Sequence, residues 1–195
     1  MTTGTGGTSK STLVTLLPIS AIAVEDGFNP RKTLGDIDAL ATNIKAEGLL
    51  SALVVRPSDT EGIFNLIAGE RRYRALASLS WDKEVPVIIR TDLVGDTERA
   101  SAIAVAENSE DSRTNLNYIE IGKVVEKLSN AGWSTARIAK ETGLHPQKVR
   151  RALTLVSSPP ELQAKVEEGI SIRTALEVAK LDEKTRKAVI AELTP

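Results

Sequence analysis

The pattern of apolar and polar positions changes character a little past the middle of the chain. From Leu13 to about residue 110, short apolar runs of strand length alternate with stretches whose apolar residues recur every three or four positions. After residue 110 only the helical spacing continues, as in Ile121, Val124 and Leu128. The pattern therefore predicts an α+β fold in which a small mixed α/β domain is followed by an all-α domain.

Turn residues and polar stretches give these domains predicted limits. The Thr-, Gly- and Ser-rich residues 1–12 predict a disordered tail. We expect the mixed domain over residues 13–110 and the helical domain over residues 111–195, with the boundary in the polar stretch 108–117. A short strand that runs into a turn at Pro18 is expected within 13–22, and further strands in 52–57, 63–69 and 85–90. Helices are expected in 36–47, 70–79, 96–108, 117–131, 134–142, 146–156, 159–168, 171–181 and 182–193.

Composition narrows the chemistry that the chain can perform. The 195 residues include no cysteine and a single histidine, His145, which excludes disulfides and thiolate metal sites. Aromatic residues make up 3% of the chain, so the core must consist mainly of Leu, Ile, Val and Ala. No apolar run approaches the roughly 20 residues of a membrane span, and the N-terminus lacks a signal-peptide apolar core. We therefore expect a soluble, cytoplasmic protein without a membrane partner.

The formal net charge of −1 hides a basic segment. From Glu120 to Leu155, seven Lys and Arg residues stand against three Glu residues, a balance of +4. Such a segment is compatible with a polyanionic partner, although most charge clusters of this kind are ordinary solvated helix faces.

Within that segment, residues 134–156 have the spacing of a helix-turn-helix. Ser134 can cap the first helix, Gly143 can supply the turn, and Pro146 suits the first turn of the second helix. An ordinary helical hairpin would share this spacing, but the basic outer face favours double-stranded DNA, because a recognition helix enters the major groove. The residues expected at the DNA, with Gln and Arg suited to base edges and Lys to phosphate, are Ser134, Thr135, His145, Gln147, Lys148, Arg150 and Arg151.

A second candidate site lies where an apolar run meets the sequence Gly69, Glu70, Arg71 and Arg72. A glycine between a strand and a helix lets a ligand approach the backbone, and the helix N-terminus offers free N–H groups. Two guanidinium groups there match phosphate oxygens, and an anionic ligand would offset the unfavourable placement of cations at a helix N-terminus. The residues alone leave a second interpretation equally open, in which Glu70 forms a surface ion pair with one of the arginines.

The stretch AENSEDSRTNL provides oxygen ligands of the kind that Mg²⁺ takes when it bridges phosphates. Polar residues are also common at helix ends, so the cluster alone does not establish a metal site. Its members are Glu107, Asn108, Glu110, Asp111 and Arg113.

Taken together, these motifs resemble those of the ParB family of plasmid and chromosome partition proteins. The similarity runs from about Leu17 to Leu181, and GERRxRA after a strand is a highly specific part of it. The motifs that carry it, in family order, are NPRK (29–32), IKAEGLLSALVVRP (44–57), LIAGERRYRAL (66–76), VPVIIR (85–90), the AEN…R..LN.IE pattern (106–120) and the helix-turn-helix.

The resemblance implies a DNA-binding partition protein that recognises a centromere-like site and binds CTP with Mg²⁺ in its N-terminal domain. In this family, the nucleotide lets two N-terminal domains engage and clamp DNA, so a homodimer is implied, and a ParA-type ATPase is the usual partner. The resemblance also assigns roles: Gly69 to Arg72 would hold the triphosphate, Glu107 and Asn108 would serve Mg²⁺, and Glu107 would support slow CTP hydrolysis. Gly48 to Arg56, including Val54, would line the cytosine side, Arg31 would close the pocket, and Arg113 would lie near the phosphates.

The chain departs from the family pattern in three places. Ser51-Ala52 replaces a frequent Gln-Pro, the insertion SEDS (109–112) displaces Arg113, and RTAL (173–176) replaces a frequent Gly-His-Ala-Arg. The first two departures put CTP affinity and hydrolysis in question, and the third favours a plasmid-type DNA site over the common chromosomal one. The end at Pro195, where relatives continue into a dimerisation domain, leads us to expect either a naturally short protein or a truncated form.

Two other functions remain open from the sequence. A site-specific transcriptional repressor could use the same helix-turn-helix, and it would bind its operator equally well with and without CTP. A ParB-like nuclease is the third reading, although we find no arrangement of paired carboxylates and lysine that argues for phosphodiester cleavage.

Overall fold

The computed structural model describes residues 14–31, 34–110 and 116–194, without the side chains of residues 109 and 110. The predicted disordered tail and Arg113 therefore lie outside the described residues. The chain divides into two compact units. The first contains the described residues up to Ala23 together with Asp36–Asp92, and the second contains Val24–Gly35 and the chain from Leu93 onward.

A mixed β-sheet forms the first unit. Its strands are β1 (Val14–Leu17), β2 (Ile22–Ala23), β3 (Leu53–Pro57), β4 (Phe64–Ala68) and β5 (Val85–Ile89), and the described strands lie in the order β1-β5-β3-β4-β2. Strand β3 pairs antiparallel with β4 and parallel with β5, whereas β1 pairs antiparallel with β5 and β2 pairs parallel with β4. The central position of β3 explains its unbroken apolar run, because both faces of a central strand are covered.

Two helices complete the first unit, α1 (Ile37–Glu47) and α2 (Glu70–Ser78). Helix α1 begins where the sequence predicts, because the Asp36 carboxylate accepts a hydrogen bond from the Ala39 N–H at 2.8 Å. It ends at Gly48, whose φ of 78° lies in the left-handed region. In α2 the buried positions are Glu70, Ala75 and Leu76, while Ala77 is exposed.

Helices make up the second unit. They are α3 (Thr97–Glu110), α4 (Tyr118–Asn130), α5 (Thr135–Thr142), α6 (Pro146–Val156), α7 (Pro160–Glu167), α8 (Ile172–Ala179) and α9 (Glu183–Glu192). Ala102 and Val105 of α3 share one apolar core with Val125 and Leu128 of α4, and with Val149 of α6. A second core gathers Ile119 of α4 and apolar residues from α6 to α9.

The division of the chain falls earlier than the polar stretch 108–117. Helix α3 belongs to the helical unit, because its buried small and apolar residues pack into the core of α4 to α6. The domain limits 13–110 and 111–195 stay a prediction. The predicted fold class, a mixed α/β unit followed by helices, is confirmed. None of the helices in the described part of the chain combines the length and the apolar character that crossing a membrane requires.

The N-terminus of α4 carries a capping box. The Asn117 side chain accepts from the Glu120 N–H at 2.8 Å, and the Glu120 carboxylate accepts from the Asn117 N–H at 2.9 Å. Because the Asn117 side chain satisfies one of the free donors of the helix, Asn117→Ala should lower the free energy of unfolding by about 1 kcal/mol. Urea unfolding followed by circular dichroism measures this loss. Asn130→Ala, at the exposed end of the same helix, serves as the control and should change stability by less than half as much.

Candidate functional site

A sharp corner joins β4 to α2. Gly69, with φ 98°, forms this corner and directly precedes the first residue of the helix. A side chain at this position would place its Cβ 2.7 Å from Cδ2 of Leu53 and 3.1 Å from a terminal nitrogen of Arg72. Both the backbone conformation and the lack of space therefore require glycine here, and no side chain caps the N-terminus of α2.

Arg72 is held by backbone oxygens of the loop that precedes β3. Its Nη1 donates to the carbonyl oxygen of Ser51 at 2.7 Å and to that of Ala52 at 2.8 Å. This side chain therefore ties the start of α2 to the segment 48–56, which the resemblance assigns to the cytosine side. The Ser51-Ala52 pair, where the chain departs from the family pattern, therefore contacts Arg72 through its backbone carbonyl oxygens.

Glu70 is engaged by an arginine one turn further along α2. Arg74 Nε donates to Oε1 of Glu70 at 2.8 Å, and Nη2 of Arg74 lies 2.6 Å from the same oxygen. Glu70 is 9% exposed and the Arg74 side chain is 51% exposed, so the ion pair lies at the surface. The ion-pair interpretation that the sequence left open is therefore found for Glu70, with Arg74 as the partner. The i,i+4 spacing of Glu70 and Arg74 is the sequence signal for this ion pair.

Arg71 contributes a polar atom that the described protein leaves unsatisfied. Its Nε is buried and has no hydrogen-bond partner among the described residues. A buried donor without a partner costs free energy, on the order of 1–3 kcal/mol, and an anionic ligand with several acceptor oxygens would remove this cost. The donor set at the start of α2 therefore fits a phosphate group.

The remaining residues of the predicted nucleotide site divide between the two units. In the first unit, Val54 and Arg56 lie in β3 and are 7% and 6% exposed, and Gly48 ends α1. In the second unit, Nη2 of Arg31 donates to Oδ1 of Asn108 at 3.0 Å, across 77 residues of sequence.

Asn108 is fixed from both ends of its amide. Its Nδ2 donates to the Ala104 carbonyl oxygen at 2.7 Å, while its Oδ1 accepts from Arg31. The neighbouring Glu107 is exposed near the end of α3. In the described part of the chain, no group of three or more His, Cys, Asp or Glu residues could hold a metal ion. Glu107 and Asn108 together offer one carboxylate and one amide oxygen. Such a pair is enough for Mg²⁺ only when the phosphates of a bound nucleotide supply further ligands.

The predicted DNA-binding residues lie on two helices that a tight turn joins. Gly143, with φ 67°, ends α5, and His145 caps α6 through its Nδ1, which accepts from the Gln147 N–H at 3.2 Å. The Ser134 hydroxyl caps α5 in the same way, by accepting from the Arg137 N–H at 3.2 Å. Two of the predicted contacts therefore also have a structural role as helix caps.

The outer surface of α6 is polar and basic. Gln147, Arg150 and Arg151 are exposed and Lys148 is half-buried, with its Nζ 5.8 Å from the centroid of the Tyr118 ring. The inner surface buries Val149, Ala152 and Leu155. Leu153, which the sequence pattern places inward, is only partly buried. The outward positions are thus those that the sequence predicts for DNA contact.

Comparison with known proteins places the chain in a family. Residues 5–109 match the family model of the ParB N-terminal domain. The chain therefore belongs to the ParB family, and the resemblance found in the sequence is confirmed.

Named relatives extend this match beyond the N-terminal domain. The nucleoid occlusion protein of Bacillus pumilus is 37% identical over 163 residues, which cover 82% of this chain and 54% of that protein. The probable chromosome-partitioning protein ParB of Chlamydia trachomatis is 33% identical over 172 residues, which cover 85% of this chain and 59% of that protein. The chain thus spans somewhat more than half the length of these relatives.

A solved structure matches nearly the whole chain. It is the C-terminally truncated chromosome-partitioning protein ParB of Caulobacter crescentus, complexed to the centromeric parS site. The two chains are 26% identical, and the match covers 92% of this chain and 94% of that one with a TM-score of 0.63. The similarity includes the helical unit as well as the sheet.

Proposed function

We propose that this chain is a DNA-binding partition protein of the ParB type, which recognises a centromere-like site through α5 and α6. The observation that carries this proposal is the likeness of nearly the whole chain to a partition protein complexed with its centromeric DNA. The exposed basic surface of α6 supports it, because Gln and Arg side chains can read base edges while Lys neutralises phosphate.

Substitutions on α6 test the assignment of the two helices as a helix-turn-helix. Lys148→Ala should weaken binding to every duplex and lower the slope of log K against log salt by about 0.9, because one phosphate contact is lost. Arg150→Ala and Gln147→Ala should instead reduce the preference for the specific site, by about 1–3 kcal/mol for each lost base contact.

The DNA site for this measurement is obtained by selection from a random duplex library with the unchanged protein. Fluorescence anisotropy at several salt concentrations then separates affinity from preference. If Arg150→Ala and Gln147→Ala keep the full preference for the selected site, α6 is not the recognition helix.

The second part of the proposal is that the corner at Gly69 binds the phosphates of CTP. Its supports are the required glycine, the N-terminus of α2 without a side-chain cap, and the unsatisfied Nε of Arg71. In this proposal Mg²⁺ accompanies the nucleotide, with Glu107 and Asn108 as the chain's own oxygen ligands and Glu107 as the residue that supports slow hydrolysis. Binding of Asn108 to the metal requires its Oδ1 to be shared with Arg31 or released by it.

Assembly and partners belong to the same proposal. We infer a homodimer whose N-terminal domains engage when CTP is bound, a ParA-type ATPase as partner, and a cytoplasmic location on DNA. Plasmid origin, which the stretch RTAL (173–176) favours, stays a prediction. Genes for a ParA-type ATPase and for plasmid replication beside the coding sequence would support it.

A role in nucleoid occlusion is the second candidate, and the 37% identity to the Bacillus pumilus protein favours it. Both roles need DNA binding, but only a partition role predicts that the DNA carrying the binding site is inherited unequally when the protein is absent. A strain without the gene therefore separates them: rapid loss of a plasmid that bears the selected site supports partition.

A repressor differs from both in binding its operator equally with and without CTP. Mg²⁺-dependent nicking of a plasmid that Glu107→Ala abolishes would instead establish a nuclease.

A further inference from the structure

The first helix of the predicted helix-turn-helix presents a cation that rests on an aromatic ring. The guanidinium carbon of Arg137 lies 3.7 Å from the centroid of the Trp133 ring. Trp133 is 8% exposed and belongs to the core of the second unit, so its position is fixed by packing. Arg137 is exposed. The Trp133 ring is therefore held in place by the core, and the Arg137 guanidinium lies over it at the surface.

The surroundings of Arg137 leave its charge available. Among the described residues Arg137 forms no ion pair. The acidic residue of the same helix, Glu141, pairs instead with Arg99, with 3.6 Å between Oε2 of Glu141 and Nε of Arg99. Arg137 also occupies the first turn of α5, where the Ser134 hydroxyl accepts from its N–H. A cation is unfavourable at that end of a helix, so the helix itself does not explain it.

We propose that Arg137 is a DNA phosphate anchor and that Trp133 is the residue that positions it. This inference rests on the proposed DNA-binding function and adds to it a residue outside the predicted set. The first helix of a helix-turn-helix crosses the DNA backbone, which brings its exposed cations to phosphates. The planar guanidinium matches phosphate oxygens bidentately, and it can do so while stacked on a ring.

The ring has a specific role in this arrangement. A flexible arginine loses conformational freedom when it grips a phosphate, which weakens binding. Because Trp133 already holds Arg137 in the free protein, part of that ordering is complete before DNA arrives. The contact is with the backbone, so it should strengthen binding to all sequences alike.

A DNA-binding measurement tests Arg137 as the phosphate anchor. Fluorescence anisotropy follows binding to a short duplex of random sequence over a range of salt concentrations. Arg137→Ala should weaken binding about 10-fold at low salt and lower the salt slope by about 0.9. Arg137→Lys keeps the charge but not the planar stack, so it should retain the slope and bind with intermediate affinity. Lys45→Ala removes one exposed cation from α1 of the other unit and should leave affinity and slope unchanged.

A double-mutant cycle tests the positioning role of Trp133. Trp133→Leu should weaken DNA binding when Arg137 is present and have no effect when residue 137 is alanine. A purely structural role of Trp133 would weaken binding equally in both backgrounds. Thermal unfolding checks that each variant is folded. If Trp133→Leu does not fold, the comparison of Arg137→Ala with Arg137→Lys decides whether the stacked guanidinium contributes more to DNA binding than its charge alone.

The outcomes separate this inference from the function on which it rests. If the unchanged protein binds no duplex, the proposed function fails and the anchor fails with it. If the unchanged protein binds DNA but Arg137→Ala has the same affinity and salt slope, the function stands and the anchor is wrong. If Trp133→Leu acts equally in both backgrounds, Trp133 does not position Arg137.

Discussion

Replacing Arg71 with alanine is expected to lower the affinity for CTP by about 10- to 100-fold and to leave DNA binding in the absence of nucleotide unchanged. The reason is that Arg71 carries a buried Nε with no partner among the described residues, in the first turn of α2. A charge-assisted hydrogen bond to a phosphate oxygen would satisfy it. The DNA-contacting residues of the proposal lie in the other unit, so the two activities should separate.

Isothermal titration with CTP, ATP, GTP and UTP measures this effect. Lys83→Ala, which removes an exposed cation from the same unit, is the matched control and should bind CTP like the unchanged protein. Retention of full CTP affinity by Arg71→Ala would exclude Arg71 as a phosphate ligand. If the unchanged protein binds none of the four nucleotides, the nucleotide proposal as a whole is wrong.

Arg72 is a different case, although it is next to Arg71 in sequence. Its Nη1 bonds to two carbonyl oxygens in the loop before β3, so its removal should also release that loop. Loss of CTP binding in Arg72→Ala would therefore combine a lost charge with a displaced backbone. For this reason Arg71 gives the cleaner test of the phosphate site.

The sequence predicts the helix limits and turns that depend on residues close together in the chain. Asp36 and Gly48 mark the limits of α1 through local capping, and both limits are found in the structure. Gly143 and Pro146 likewise place the turn and the start of α6. Each of these signals depends on backbone preferences within a few residues, which a single sequence contains.

The contacts that the sequence does not reveal join distant segments. Arg72 reaches the carbonyl oxygens of Ser51 and Ala52, 21 and 20 residues away, and carbonyl oxygens leave no trace in side-chain patterns. Arg31 reaches Asn108 across 77 residues. By contrast, the contact of Arg137 with the Trp133 ring is local, because the two residues are four positions apart on either side of the N-cap Ser134 of α5.

Replacing Gly122 with alanine is expected to destabilise the second unit, although intrinsic helix propensity predicts the opposite. In an isolated helix this change would stabilise α4 by about 1 kcal/mol. In the folded chain the new Cβ would lie 2.8 Å from the carbonyl oxygen of Ala152 and 2.9 Å from Cβ of Val156. Both atoms are attached directly to the backbone of α6, so the clash can be relieved only by moving that helix.

Overpacking of this kind costs about 1–3 kcal/mol, which exceeds the propensity gain or cancels it. A displaced α6 would also misplace Gln147 and Arg150, so the preference for the selected DNA site should fall along with stability. Urea unfolding and anisotropy measure the two effects, with Ser129→Ala on the exposed side of the same helix as the control. If Gly122→Ala instead raises stability by the full propensity difference, α4 and α6 are not in the close contact described above. The recognition surface would then not depend on that contact.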